Sequence, residues 1–241
     1  MSLASFILKE IPFSLEADKL ADSLKIRSNS SQMDRLKSLL AEAQTIGRPK
    51  GFYKVAYIQE KKDDRVLVEG ITFTSRVLRV NVEKAHRIFP YIATCGEELE
   101  EWSKKFEDFL DKYLADAIKE KALRLALDFL YKDLVNRFQP GKLSRMNPGS
   151  LPDWPLPEQV PLFTLLGEGP SAIGVKLNES FLMMPIKSVS GIWFPTEENF
   201  ESCRLCPREN CPGRRAAYVP GLYDQKYGLS FKSGSLREEK K

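Results

Sequence analysis

The sequence predicts an α+β fold: a twisted antiparallel sheet flanked by helices, with a C-terminal cysteine-rich loop. Three observations point there. Apolar residues recur at spacings of three and four over 15–46 and again over 97–138. Between these stretches, over 51–94, the apolar period falls to two. Near the C-terminus, Cys203, Cys206 and Cys211 crowd into a chain that has four cysteines in all.

The elements follow in order. Leu15, Leu20, Leu24 and Ile26 mark a first helix, with Ser14 as its expected N-cap; Met33, Leu36, Leu39, Leu40 and Ala43 mark a second over about 31–46. Gly47 and Pro49 end it. "FYKVAYIQE", "RVLVEGITF", "RVLRVNV" and "RIFPYIAT" then read as strands, with "EKKDDR" the clearest hairpin turn. The stripe Leu99, Trp102, Phe106, Leu110, Leu114, Ala117, Ile118, Leu125, Phe129 and Leu130 is helical. A single helix over 97–138 would span roughly 60 Å, so a break near Asp108–Asp111 is expected. Nine of the 15 prolines lie between 140 and 195, which makes that part rich in loops. A helix at 156–166, with Pro157 in its first turn, and strands at "IGVKLNES" and "SVSGIWF" complete the reading. The 241 residues are read as a single domain, 1–241, holding a metal-binding loop at 200–215 and ending in a flexible tail at 230–241.

Composition excludes several classes. The net charge of +4 is small, much of the excess sits after Lys226, and no basic stripe is interleaved with aromatics, so nucleic acid is not an expected partner. No stretch approaches the roughly 20 apolar residues of a membrane span. The opening lacks the basic start and small-residue cleavage site of a signal peptide. Four cysteines in a chain of this length do not make a secreted disulfide framework. The expectation is a cytoplasmic protein. No G-x-S-x-G, P-loop or G-x-G-x-x-G motif is present, and a Ser-His-Asp or Cys-His mechanism would have to run through His86, the one histidine.

Cys203-x2-Cys206-x4-Cys211 is the sharpest chemical signal. A C-x2-C bite lets two thiolates hold one metal from a tight turn, and a third five residues on can close one side of a tetrahedron. Cys95, at an expected strand-to-helix turn, is the remaining thiol and a possible fourth ligand. Four thiolates would suit Zn²⁺ or a [4Fe–4S] cluster, and the spacing does not choose between them. Arg145, just before a Pro148-Gly149 turn, could present a guanidinium fork to a carboxylate or phosphate, although Pro-Gly turns near an arginine are common. By spacing alone Glu120 reads as a solvated helix charge.

At 177–194, "LNESFLMMPIKSVSGIWF" resembles the hallmark L-T-E-S-x-x-M-x-P-x-x-S-V-S-G run of the reactivation domain of cobalamin-dependent methionine synthase, with Asn178 in place of threonine. "YLADAIKEKA" (113–122) is similar to that family's D-x-x-x-E helix, and "RMNPGS" (145–150) to its R-x-x-P-G-Y loop. The resemblance covers about residues 88–195. It implies a free-standing protein that presents S-adenosylmethionine to the cobalamin of a partner: methionine synthase or a related corrinoid protein. There an electron and the sulfonium methyl restore methylcobalamin from the oxidised cob(II)alamin state. It also implies ligand contacts at Glu120 (the ligand's amino group), Arg145 (its carboxylate), and the loop backbone of Asn147, Gly149 and Ser150. Two departures stand out. Ser150 replaces the family's tyrosine, which admits an alternative reading as a corrinoid-docking or redox module without S-adenosylmethionine. The cysteine loop is an addition that could carry an electron in place of flavodoxin, or receive one from a flavodoxin or ferredoxin; a zinc-stapled structural protein is a third reading.

Overall fold

Helix propensity, capping and the two apolar periods build a mixed helix-and-strand fold in this computed structural model, which describes residues 4–211 and 213–228. Strand β1 (Ser5–Leu8) is followed by helices α1 (Ala17–Leu24) and α2 (Ser31–Ile46). Four strands come next: β2 (Lys50–Lys54), β3 (Ala56–Lys62), β4 (Arg65–Val68) and β5 (Ile71–Thr74). Helix α3 (Arg76–Asn81) leads to β6 (Arg87–Thr94), α4 (Glu97–Lys104), the long α5 (Phe109–Phe138) and β7 (Leu143–Met146). A 3-10 turn (Leu156–Glu158) runs into α6 (Gln159–Leu166), then α7 (Gly169–Ala172). Strands β8 (Lys176–Leu177), β9 (Met183–Met184) and β10 (Ser188–Pro195) come next, followed by a 3-10 turn (Ser202–Arg204) and a π-helical turn (Asp224–Gly228).

The chain forms two compact units, each assembled from three separate stretches: residues up to 54, 91–139 and 166–190 in the first; 55–90, 140–165 and 191 onward in the second. In the first unit β1 pairs antiparallel with β2 (Phe6 opposite Tyr53), and β2 with the second half of β6 (Phe52 opposite Ile92). Helix α5 packs on β2 and against α2 and α4. Its buried stripe steps by four, through Leu114, Ile118, Ala122, Ala126, Leu130 and Leu134, because residues four apart share a helix face. That stripe leaves Phe129, read from sequence as core, 39% exposed. Leu130 lies over Gly51, where an added Cβ would come within 2.9 Å of it, so the close approach of helix to strand depends on a glycine there. Two polar groups are pinned inside this unit. Lys119 and Glu100 are each 7% exposed and meet at 3.1 Å, with the Ser103 hydroxyl 2.8 Å from the same ammonium.

In the second unit β3, β4 and β5 form an antiparallel meander, and β3 pairs with the start of β6 (Ala56 opposite Ile88). β7 pairs antiparallel with β10, Trp193 opposite Arg145. Fully buried Trp154 packs edge-on against Phe73, with its indole N–H donating to Glu158 at 3.1 Å.

The antiparallel sheet with flanking helices is the fold that the sequence predicts. The break before α5 falls where it was expected, and Asp108 caps the new helix by accepting from the Leu110 N–H at 2.8 Å. Several expectations are corrected. "RVLRVNV" is helix α3, not a strand: Ser75 accepts from the Leu78 N–H, and the Asp153 carboxylate accepts from the Val77 N–H, both at 3.0 Å. That satisfies the first-turn donors a helix start leaves orphaned. Glu16, not Ser14, caps α1, and does so without a side-chain bond. "RVLVEGITF" is two strands turning at Glu69-Gly70, and β1, β7 and β9 were not read at all. The tail at 230–241 lies outside the described residues.

Candidate functional site

In the first unit the site residues sit on α5 and on the segment leading into β10. Asp116 and Glu120 are one turn apart on α5, on the same face. Glu120 is paired with Arg124 at 2.8 Å. From the other side comes Lys187, its Nζ 2.9 Å from Asp116 and 3.7 Å from Glu120. Its backbone is fixed. The Lys187 carbonyl accepts from the Cys95 N–H at 2.9 Å, and the Ser188 hydroxyl donates to the Pro185 carbonyl at 2.7 Å while touching the Thr94 hydroxyl at 2.9 Å. Met184-Pro185 is a cis peptide. Asn178 shapes the turn ahead of this segment: its Oδ1 accepts from the N–H groups of Ser180 (3.0 Å) and Leu182 (2.9 Å).

Cys95 directly follows β6 in the same unit, fully buried, with its thiol directed at the Gly96 carbonyl 3.5 Å away. Burial pushes this thiol up to about 12, with the Lys119 ammonium opposing and the Glu100 carboxylate adding to the rise. Such surroundings favour the thiol over the thiolate that a metal requires.

Arg145, Asn147, Gly149 and Ser150 are brought together in the second unit, at the end of β7 and in the turn that follows. The Ser150 N–H donates to the Asn147 carbonyl at 3.1 Å across Pro148 and Gly149, and Gly149 has φ +82°. This is a type II turn, with proline and glycine at the positions it demands. The Gly149 N–H is tied to the Trp154 carbonyl at 2.7 Å, and a Cβ on Gly149 would lie 3.1 Å from Leu156. Gly149 and Ser150 are exposed. Arg145 is half-buried as a residue, and its guanidinium has no ion pair or hydrogen bond among the described residues. An unpaired fork donor suits a carboxylate.

The cysteine loop is also in this unit. Arg214 organises it, donating to the carbonyls of Cys203 (3.1 Å), Cys206 (3.2 Å) and Ala216 (3.2 Å), and to that of Arg208. Cys203 Sγ accepts the Arg215 N–H at 3.4 Å. All four cysteines are free thiols, and among the described residues no three His, Cys, Asp or Glu side chains converge as a metal set. A cavity of about 450 Å³ elsewhere in this unit is lined by Lys84, Lys142 and Lys226. Lys84 and Lys226 are already paired with Glu197 and Glu198, and Arg145 takes no part in the cavity.

Sequence reasoning did not find Lys187. It lies inside the quoted hallmark run, but its partners are 67 and 71 residues away on α5, a pairing with no local signature.

No protein-family model matches this sequence, and no curated protein does. Among solved structures the chain is similar to the MetH reactivation domain bound to AdoHcy, with a TM-score of 0.58 and 16% identity over 83% of this chain and 81% of that one. The likeness shows a shared fold. No helix among the described residues is long and apolar enough to cross a membrane.

Proposed function

We propose that this chain holds S-adenosylmethionine for the reductive reactivation of a cobalamin-dependent methyltransferase, methionine synthase or a related corrinoid protein. The observation that carries the reading is the unpartnered guanidinium of Arg145, a half-buried residue two positions before the Asn147–Ser150 turn. It stands in a chain whose fold matches a domain solved with S-adenosylhomocysteine. Arg145 takes the ligand carboxylate through its fork; the resemblance also makes Glu120, on α5 of the first unit, a contact for an α-ammonium. The exposed backbone of Gly149, which bears no side chain, lets the ligand approach closely. S-adenosylmethionine supplies the methyl group and leaves as S-adenosylhomocysteine; cobalamin and the electron come from partner proteins, a flavodoxin or ferredoxin being the donor class in keeping with the reading. Positioning the sulfonium methyl is what this chain contributes, and proximity of that kind can supply much of a transfer rate.

Calorimetric titration tests it. Millimolar or tighter S-adenosylmethionine binding that is lost in Arg145→Ala is the expected result. No binding at millimolar ligand, or binding indifferent to that substitution, would refute it. Retained capture of a cobalamin-loaded partner without S-adenosylmethionine binding would favour the docking-module alternative, for which the exposed Ser150 speaks because it offers no aromatic face. For the loop at 203–211 the reading remains a zinc or [4Fe–4S] site. Since the thiols do not converge as folded, no electron step is routed through it. Metal analysis with absorption and EPR spectra of anaerobically purified protein decides: roughly four irons per chain, one zinc, or neither.

A further inference from the structure

The carboxylate pair on α5 already holds a cation that belongs to the chain itself. Lys187 places its ammonium 2.9 Å from Asp116 and 3.7 Å from Glu120. Its side chain is 22% exposed, against 57% for Asp116 and 36% for Glu120, so the cation sits deeper than the anions it neutralises. Arg124 also reaches Glu120, but from the same helix at i,i+4 and with a side chain 64% exposed, a geometry worth little. Lys187 differs in kind. It comes from a separate segment whose backbone is tied on both sides, by the Cys95 N–H to its own carbonyl and by the Ser188 hydroxyl. The backbone that carries this ammonium is therefore held in place.

We propose that Lys187 is an internal counter-cation that competes with the ligand for the Asp116–Glu120 pair. The inference rests on the reading of Glu120 as a ligand contact. A ligand ammonium approaching Glu120 does not meet a free carboxylate: binding is an exchange in which the Lys187 side chain swings out and the ligand cation takes its place. Lys187 thereby weakens the affinity for every ligand carrying an α-ammonium. The released ammonium ends at the edge of the occupied site, where it repels a further cation.

The test is calorimetry on the full chain with S-adenosylmethionine and S-adenosylhomocysteine, using wild type, Lys187→Met, Lys187→Ala and Lys187→Arg. Methionine keeps the length of the stem, alanine removes it, and arginine keeps the charge; unfolding curves check that all three fold. Deleting one or two partly exposed ion pairs corresponds to roughly a three- to tenfold change in affinity. The expected result is that gain for both ligands in the methionine and alanine variants, with wild-type affinity in the arginine variant. Binding that appears only in the uncharged variants would support the proposal most strongly. Equal or weaker binding in folded Lys187→Met and Lys187→Ala, with wild type binding, would overturn the competition and leave the ligand assignment standing. No binding by any variant would overturn both.

Discussion

Replacing Lys119 with methionine gives the sharpest energetic test of the first unit. The ammonium and the Glu100 carboxylate are each 7% exposed and 3.1 Å apart, with Ser103 as the third member. Methionine keeps most of the stem volume and removes the charge, leaving Glu100 buried without its cation. Breaking such a pair from one side costs about 3–5 kcal/mol. For a chain of this size that corresponds to a fall in melting temperature of roughly 6–20 °C. The Glu100→Leu variant should lose a comparable amount. The double variant Lys119→Met/Glu100→Leu should recover most of it, because no lone charge remains. Urea or thermal unfolding followed by far-UV circular dichroism gives the three free energies, and the double-mutant cycle isolates the coupling. Single losses below about 1 kcal/mol, or additive losses in the double variant, would refute the claim that the pair is desolvated and mutually dependent.

Other outcomes follow from the same geometry. Gly149→Ala should cost about 1–2 kcal/mol, from a left-handed backbone position and a Cβ set 3.1 Å from Leu156; unfolding curves check the stability, and calorimetry should show weaker S-adenosylmethionine binding. Cys95 should resist alkylation at pH 8 in the folded protein with chelator present, while Cys203, Cys206 and Cys211 react; mass spectrometry with and without denaturant reads the difference. Burial raises the Cys95 thiol from its ordinary value of 9.0 to about 12, so its protonated form is favoured in the folded state. Its contribution is complete below about pH 9 and is lost as pH rises toward 12. A Cys95→Ala variant should therefore show a shallower alkaline decline in stability than wild type. Arg214→Ala should loosen the loop carrying three cysteines, since four carbonyls lose one shared donor, and limited proteolysis should cut there first.

How much of this was legible depended on whether the cause was local. Helices α2, α4 and α5 could be read because their stripes and the Asp108 cap lie within the segments themselves. Helix α3 could not be: Leu78, Val80 and Val82 alternate as a strand face would, and one of its capping groups, Asp153, is 76 residues away in sequence from the N–H it accepts. Strands β1, β7 and β9 are two to four residues long, too short for a period to show. At the candidate site, Arg145 and the Pro148-Gly149 turn announce themselves, because the turn chemistry is written in adjacent residues. Glu120 looked like an ordinary solvated charge, and only resemblance singled it out. Its true environment depends on Lys187, which no spacing rule connects to α5.

The assembly of each unit from three stretches bears on how the protein can be made and altered. A ribosome must deliver about 190 residues before the first unit has all of its pieces, so its early helices spend most of synthesis without their final partners. Neither unit can be cloned as a continuous fragment, because any cut that keeps one whole takes part of the other with it.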